Sequence, residues 1–130
     1  MTNTRLSTVL IIDDSAPIRE IASDMLRLLD LTVLTASNGV EGVTFFQQFP
    51  IDLILLDVNM PIMNGAETYQ ALLDIDPTVN VIVCSTEPQS KVQFRFGELP
   101  VPAYLHKPYD MGVLLEAVQN MIADRSLLTH

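Results

Sequence analysis

Apolar and polar positions fall into blocks along this chain. Four aliphatic runs, 9–12 (VLII), 53–56 (LILL), 81–84 (VIVC) and 103–106 (AYLH), stand between longer amphipathic stretches. Uninterrupted runs of this length predict strands buried on both faces, as in a parallel sheet. A fifth strand is predicted at 32–36. The intervening stretches repeat apolar residues every three or four positions, as Ile18, Ile21, Ala22, Met25 and Leu29 do, and predict helices on both faces of that sheet.

Local signals place the helices. Pro17 fits the opening turn of a helix starting near Ser15, where its missing N–H costs nothing. Ser37, Asn38 and Gly39 turn the chain into a second helix through about Gln48, with Val40, Val43 and Phe46 apolar and with Gly39 and Gly42 weakening it. Asn64 followed by Glu67 forms a capping pair for a third helix that ends before Pro77. A poorly patterned fourth helix spans 88 to about 98, and Pro100 and Pro102 are expected to end it. The last helix runs from about Asp110 to Ser126 and turns Leu114, Val118, Met121 and Ile122 inward. Five strands and five helices use up the chain, so residues 1–130 are expected to be a single domain.

Composition narrows the function. Apolar residues make up 48% of the 130 residues and mean hydropathy is +0.31, yet the runs are too short to cross a bilayer. The amino terminus has no apolar region or cleavage site of a secretory signal, and the chain is expected to be cytoplasmic, with no membrane partner. A net charge of -9 with only seven Lys and Arg argues against direct nucleic-acid binding. Cys84, the one cysteine, permits no internal disulfide or multi-thiolate metal site, and its place in an apolar run predicts a buried, inert thiol.

Four runs lead into reactive groups: Asp13 and Asp14, Asp57, Ser85, and Lys107. The carboxyl ends of strands in an open parallel sheet share one rim, so these groups are expected to meet around a ligand. Each also has an ordinary structural role open to it. Asp57 suits a loop cap, Asp14 and Ser15 a helix N-cap, Ser85 a second cap, and Lys107 a solvated strand end. As a set they suit phosphoryl chemistry. An aspartate can attack phosphorus to form an acyl phosphate. Adjacent acids need a cation, and an all-oxygen set fits Mg²⁺ or Mn²⁺. Lys107 and Ser85 supply a charge and a hydroxyl for phosphoryl oxygens.

At these residues the chain resembles the receiver domain of two-component response regulators. The resemblance rests on Asp13-Asp14, on Asp57-Val-Asn-Met-Pro61 with Asn64-Gly65, on Ser85, and on Tyr104-Leu-His-Lys107-Pro108, with 28 residues from Asp57 to Ser85 and 22 from Ser85 to Lys107. It implies a flavodoxin-like, doubly wound five-stranded parallel sheet of order 2-1-3-4-5 with five flanking helices. It implies that Asp57 is the phosphoacceptor, that Asp14 and Asp57 bind Mg²⁺ directly, Asp13 largely through water and Asn59 through its backbone carbonyl, and that Lys107 and Ser85 contact the phosphoryl group. The Lys107–Pro108 bond would be cis. Ser85 and Tyr104 would relay phosphorylation to the surface of the fourth helix, fifth strand and fifth helix; for Tyr104 the competing reading is a fixed ring with its hydroxyl at the surface.

The implied partners are a histidine kinase or histidine phosphotransfer protein as donor and an output protein or domain, with a phosphorylation-linked homodimer as a further form. The chain would accept a phosphoryl group and lose it by self-dephosphorylation, without acting as a multiple-turnover enzyme. Three features particularise the pattern. Thr86 stands where most members carry a small residue and is expected to narrow access to Asp57. Asn59 and Glu87, two residues beyond Asp57 and Ser85, resemble the pair of fast-cycling chemotaxis receivers, which opposes the first clue. The stretch 88–102 carries Phe94, Phe96 and extra prolines, with Lys91 and Arg95 as a small basic patch or a solvated helix face. Two other classes stay open: a haloacid-dehalogenase-type phosphohydrolase, although that family has a second Asp where Asn59 stands, and a receiver-like interaction module without phosphate cycling. A flavin-binding flavodoxin is weaker, since no hydroxyl-rich loop follows the first run.

Overall fold

The computed structural model describes residues 7–60, 62–108 and 110–128, with side chains described through 122. The amino-terminal segment 1–6, Pro61 and His130 lie outside the described residues. The elements are β1 (Thr8–Ile12), α1 (Ala16–Arg27), β2 (Thr32–Ala36), α2 (Gly39–Gln48), β3 (Leu53–Asp57), α3 (Gly65–Ile75), β4 (Val81–Ser85), α4 (Gln89–Phe96), β5 (Ala103–His106) and α5 (Met111–Leu128). All strand pairs are parallel, in the order β2-β1-β3-β4-β5. This is the flavodoxin-like arrangement expected, with β2 at an edge. The pleat sends alternate residues of each strand to opposite faces. Leu10, Ile12, Ile54, Leu56, Val81 and Val83 pack with Tyr69, Leu72, Val92 and Phe96 of α3 and α4. Val9, Ile11, Leu53, Leu55, Ile82 and Leu105 pack with Ala22, Leu26, Leu114 and Val118 of α1 and α5.

Capping fixes several helix starts. Ser15 caps α1 with Pro17 in the first turn, and Asn38 caps α2. At α3 a full capping box joins Asn64 and Glu67, with Glu67 N–H donating to Asn64 Oδ1 at 2.9 Å and Asn64 N–H to Glu67 Oε1 at 3.2 Å.

Other expectations need correction. Of the stripe expected on α1, Ala22 is buried and Met25 and Leu29 pack against the core, with buried Ser23 and Leu26 beside them, whereas Ile21 is 53% exposed and lies off the inward face. Gly97, not Pro100 or Pro102, ends α4: it adopts φ 62° directly after Phe96, a conformation that glycine enters without strain. Gln93 then staples the connection to β5, donating to the carbonyls of Gly97 and Leu99 and accepting from Val101 N–H. Gly42 reflects close packing in α2, since a Cβ there would lie 2.4 Å from Ile12 Cδ1.

Candidate phosphorylation site

Pleat parity sorts the rim residues between two faces. Asp57 ends β3 in register with Leu53 and Leu55, and so belongs to the α1/α5 side. The ladder continues past β1 and β5, through Asp13 N–H to Ala36 O at 3.1 Å and Lys107 N–H to Ser85 O at 2.7 Å. Asp13 and Lys107 therefore keep the parity of Ile11 and Leu105 and join Asp57. Ser85, in step with Val81 and Val83, belongs to the α4 side, where Tyr104 also packs.

On the first side the carboxylates of Asp13, Asp14 and Asp57 each place an oxygen within 4.8 Å of the others. Lys107 Nζ joins two of them, 2.7 Å from Asp13 Oδ2 and 3.4 Å from Asp57 Oδ1. Asp13 and Asp57 are buried and Asp14 is exposed. Asp13 is positioned further by Ser15 N–H, 2.9 Å from its Oδ1, and its main-chain carbonyl accepts from Arg19 Nη1 at 2.7 Å. Asn59 N–H donates to Asp57 Oδ1 at 3.3 Å. The N-cap role open to Asp14 and Ser15 falls to Ser15.

One ammonium faces three carboxylates. Burial holds the Asp57 carboxyl above the usual carboxylate value; Lys107 opposes this and Asp13 adds to it. Burial works to lower the Lys107 ammonium, but its hydrogen bond to Asp13 and the charges of Asp57 and Asp13 outweigh that and hold it above the usual lysine value. An all-oxygen donor set with excess negative charge fits a hard divalent cation. Cys84 is buried as expected, and burial pushes its thiol up to about 12, which disfavours the reactive thiolate.

On the second side the fully buried Ser85 accepts at Oγ from Glu87 N–H at 3.0 Å. The Tyr104 hydroxyl donates to the Glu87 main-chain carbonyl, so the ring is tied to the segment that leads into α4. The Lys107–Pro108 peptide is cis. Thr86 lines a mainly apolar groove of about 320 Å³ with Ile18, Ile21, Met25, Lys107 and Pro108, which places its bulk beside the rim.

The sequence offers Arg95 only as part of a small basic patch or of a solvated helix face. In the structure its Nη1 donates to Asn59 Oδ1 at 3.2 Å and its Nη2 lies 2.9 and 3.1 Å from the two Glu87 carboxylate oxygens. The spacing of Lys91 and Arg95 shows a shared helix face, but no local pattern reveals partners 36 and 8 residues away.

Fold and site together define a flavodoxin-like α/β protein with an acidic, lysine-bearing pocket at its carboxyl rim. Residues 9–119 match the response regulator receiver domain, and the chain belongs to that family. The chemotaxis protein CheY of Thermotoga maritima is 29% identical over 114 residues, 87% of this chain and 95% of CheY. The autoinducer 1 sensor kinase/phosphatase LuxN of Vibrio campbellii is 31% identical over 120 residues, 92% of this chain but 14% of LuxN. The solved structure of Vibrio cholerae chemotaxis protein CheY4 superposes with a TM-score of 0.84 at 28% identity, covering 90% of this chain and 99% of that one.

Proposed function

We propose that residues 1–130 form a single receiver domain that accepts a phosphoryl group from a phosphohistidine donor onto Asp57. The observation that carries this reading is the Lys107 ammonium bridging Asp13 and Asp57 beside Asp14. An Asp57 carboxylate oxygen bonds phosphorus, the phosphorus–nitrogen bond of the donor breaks, and the histidine leaves as imidazole with a proton from solvent on the departing nitrogen. Lys107 holds the nucleophile and then pairs with a phosphoryl oxygen, and the Ser85 hydroxyl donates to another. Mg²⁺, or Mn²⁺, would be held by Asp14 and Asp57, by Asp13 through water and by the Asn59 carbonyl; when bound it supplies positive charge to the phosphoryl oxygens. The product is a phosphoprotein that loses its phosphate by hydrolysis and is not a multiple-turnover enzyme.

The donor is a histidine kinase or histidine phosphotransfer protein, and the output is read from α4, β5 and α5, where Phe94 is 87% exposed. This surface serves a protein partner, including a second phosphorylated copy, and not nucleic acid or membrane. Among the described residues no helix is long and apolar enough to cross a bilayer. Family membership favours this reading over a phosphohydrolase. Incubation with radiolabelled acetyl phosphate is expected to label wild-type protein only with Mg²⁺ present and to leave Asp57→Asn unlabelled. Undiminished labelling of Asp57→Asn, or a well-folded wild type that takes no label, would overturn it.

A further inference from the structure

Hydrolysis of a phosphoryl group on Asp57 has a defined geometry. A water oxygen bonds phosphorus from the side opposite the carboxylate, the bond from phosphorus to the Asp57 oxygen breaks, the carboxylate is regenerated, and the water's proton passes to solvent with inorganic phosphate. An acceptor that orients the water speeds this step. Asn59 and Glu87 carry such acceptors beside the site: Asn59 is tied through its N–H to the Asp57 carboxylate and Glu87 through its N–H to Ser85 Oγ. One guanidinium occupies both, with Arg95 Nη1 on Asn59 Oδ1 and Nη2 against both Glu87 oxygens.

We infer that Arg95 is a positioning residue that prolongs the life of the Asp57 phosphoryl group by engaging the Asn59 carboxamide and the Glu87 carboxylate, which would otherwise orient water. This rests on the proposed phosphorylation of Asp57. The planar fork of arginine suits the double contact, whereas a lysine presents a single ammonium and holds the pair less well. The same bridge ties the segment after β3 to α4, so it lies between the site and its output helix. Arg95 is half exposed, but the Glu87 carboxylate it leaves behind is only 22% exposed, with Oε1 buried, so Arg95→Lys, which keeps a positive charge there, guards the test against a loss of fold.

The test follows decay of preformed, radiolabelled Asp57 phosphate after the acetyl phosphate is removed, in excess Mg²⁺. Arg95→Ala is expected to speed decay about three- to fivefold, as fits the loss of a partly exposed ion pair and hydrogen bond, with Arg95→Lys between it and wild type. In an Asn59→Ala, Glu87→Ala background, Arg95→Ala is expected to have no further effect. A merely structural role of the bridge would lower the melting temperature, and Asn59→Ala, Glu87→Ala would by itself speed decay as Arg95→Ala does, whereas this inference expects that double variant to decay no faster than wild type. Equal or slower decay in Arg95→Ala, or equal acceleration in the two backgrounds, would overturn the role of Arg95 while leaving labelling at Asp57 intact. A wild type that takes no label would overturn the phosphorylation reading itself, and this inference with it.

Discussion

At Asp57 the demands of the proposed chemistry and of folding oppose each other. A nucleophilic carboxylate must be ionised, yet burial and the neighbouring Asp13 charge disfavour that form and raise its pKa. Between the ordinary carboxylate value and the raised one, the folded chain holds more protons than the unfolded chain, so stability falls as pH rises through that window. Above it the cost is complete. Asp57→Asn is therefore expected to melt a few degrees higher at neutral pH without metal, about 1 kcal/mol, with the gain vanishing in acid. Lys107 has the opposite sign. Its raised pKa makes its contribution complete at neutral pH and lost as pH rises through the folded value, so Lys107→Met should cost about 3 kcal/mol by leaving buried carboxylates unpaired. Thermal unfolding against pH checks both, and Asp57→Asn melting below wild type at pH 7 would contradict this balance.

At the scale of elements, what was legible in the sequence is what local chemistry determines. Strand runs, the Asn64 and Glu67 box and the rim placement of Asp13, Asp57, Ser85 and Lys107 all follow from neighbours within a few residues. What was not legible depends on distant partners. The sheet adds Ser23 and Leu26 to the inward face of α1 and residues on two other segments set the bridge of Arg95, whereas the end of α4 at Gly97 was a local signal, a glycine directly after the last helical residue. Gly65 shows how closely an element can be tied to the site. Its N–H donates to Val58 O at 3.0 Å, and a Cβ there would stand 2.7 Å from Val58 Cα, immediately after Asp57. Backbone cannot yield as a side chain can, so Gly65→Ala should cost about 1–3 kcal/mol and slow labelling of Asp57. Gly42→Ala meets first the Ile12 side chain and regains up to about 1 kcal/mol of helix propensity, so it should cost less. Urea unfolding that ranks the two in reverse order would refute the argument.

For the whole molecule, the sheet separates two tasks. The carboxylates and Lys107 lie on the α1/α5 side of the pleat, whereas Ser85 and Tyr104 face the layer of α3 and α4. On the proposed reading, charge added at Asp57 would reach α4 through Ser85, whose Oγ accepts from Glu87 N–H, while the Glu87 carbonyl in turn holds the Tyr104 hydroxyl. Drawing the Ser85 hydroxyl toward a phosphoryl group strains the first bond and shifts the population of arrangements at the second, by no more than the difference in contact energy between them. A change of about 1 kcal/mol, one hydrogen bond's worth, alters local opening roughly fivefold, within reach of amide exchange. Phosphorylation is therefore expected to change exchange at the amides of Glu87 and α4 while leaving those of α1 nearly unaltered. Tyr104→Ala should still accept phosphate at Asp57, because no Tyr104 atom belongs to the carboxylate cluster, but its α4 amides should no longer respond. Retention of the α4 response in Tyr104→Ala, or a response confined to α1, would place the relay elsewhere.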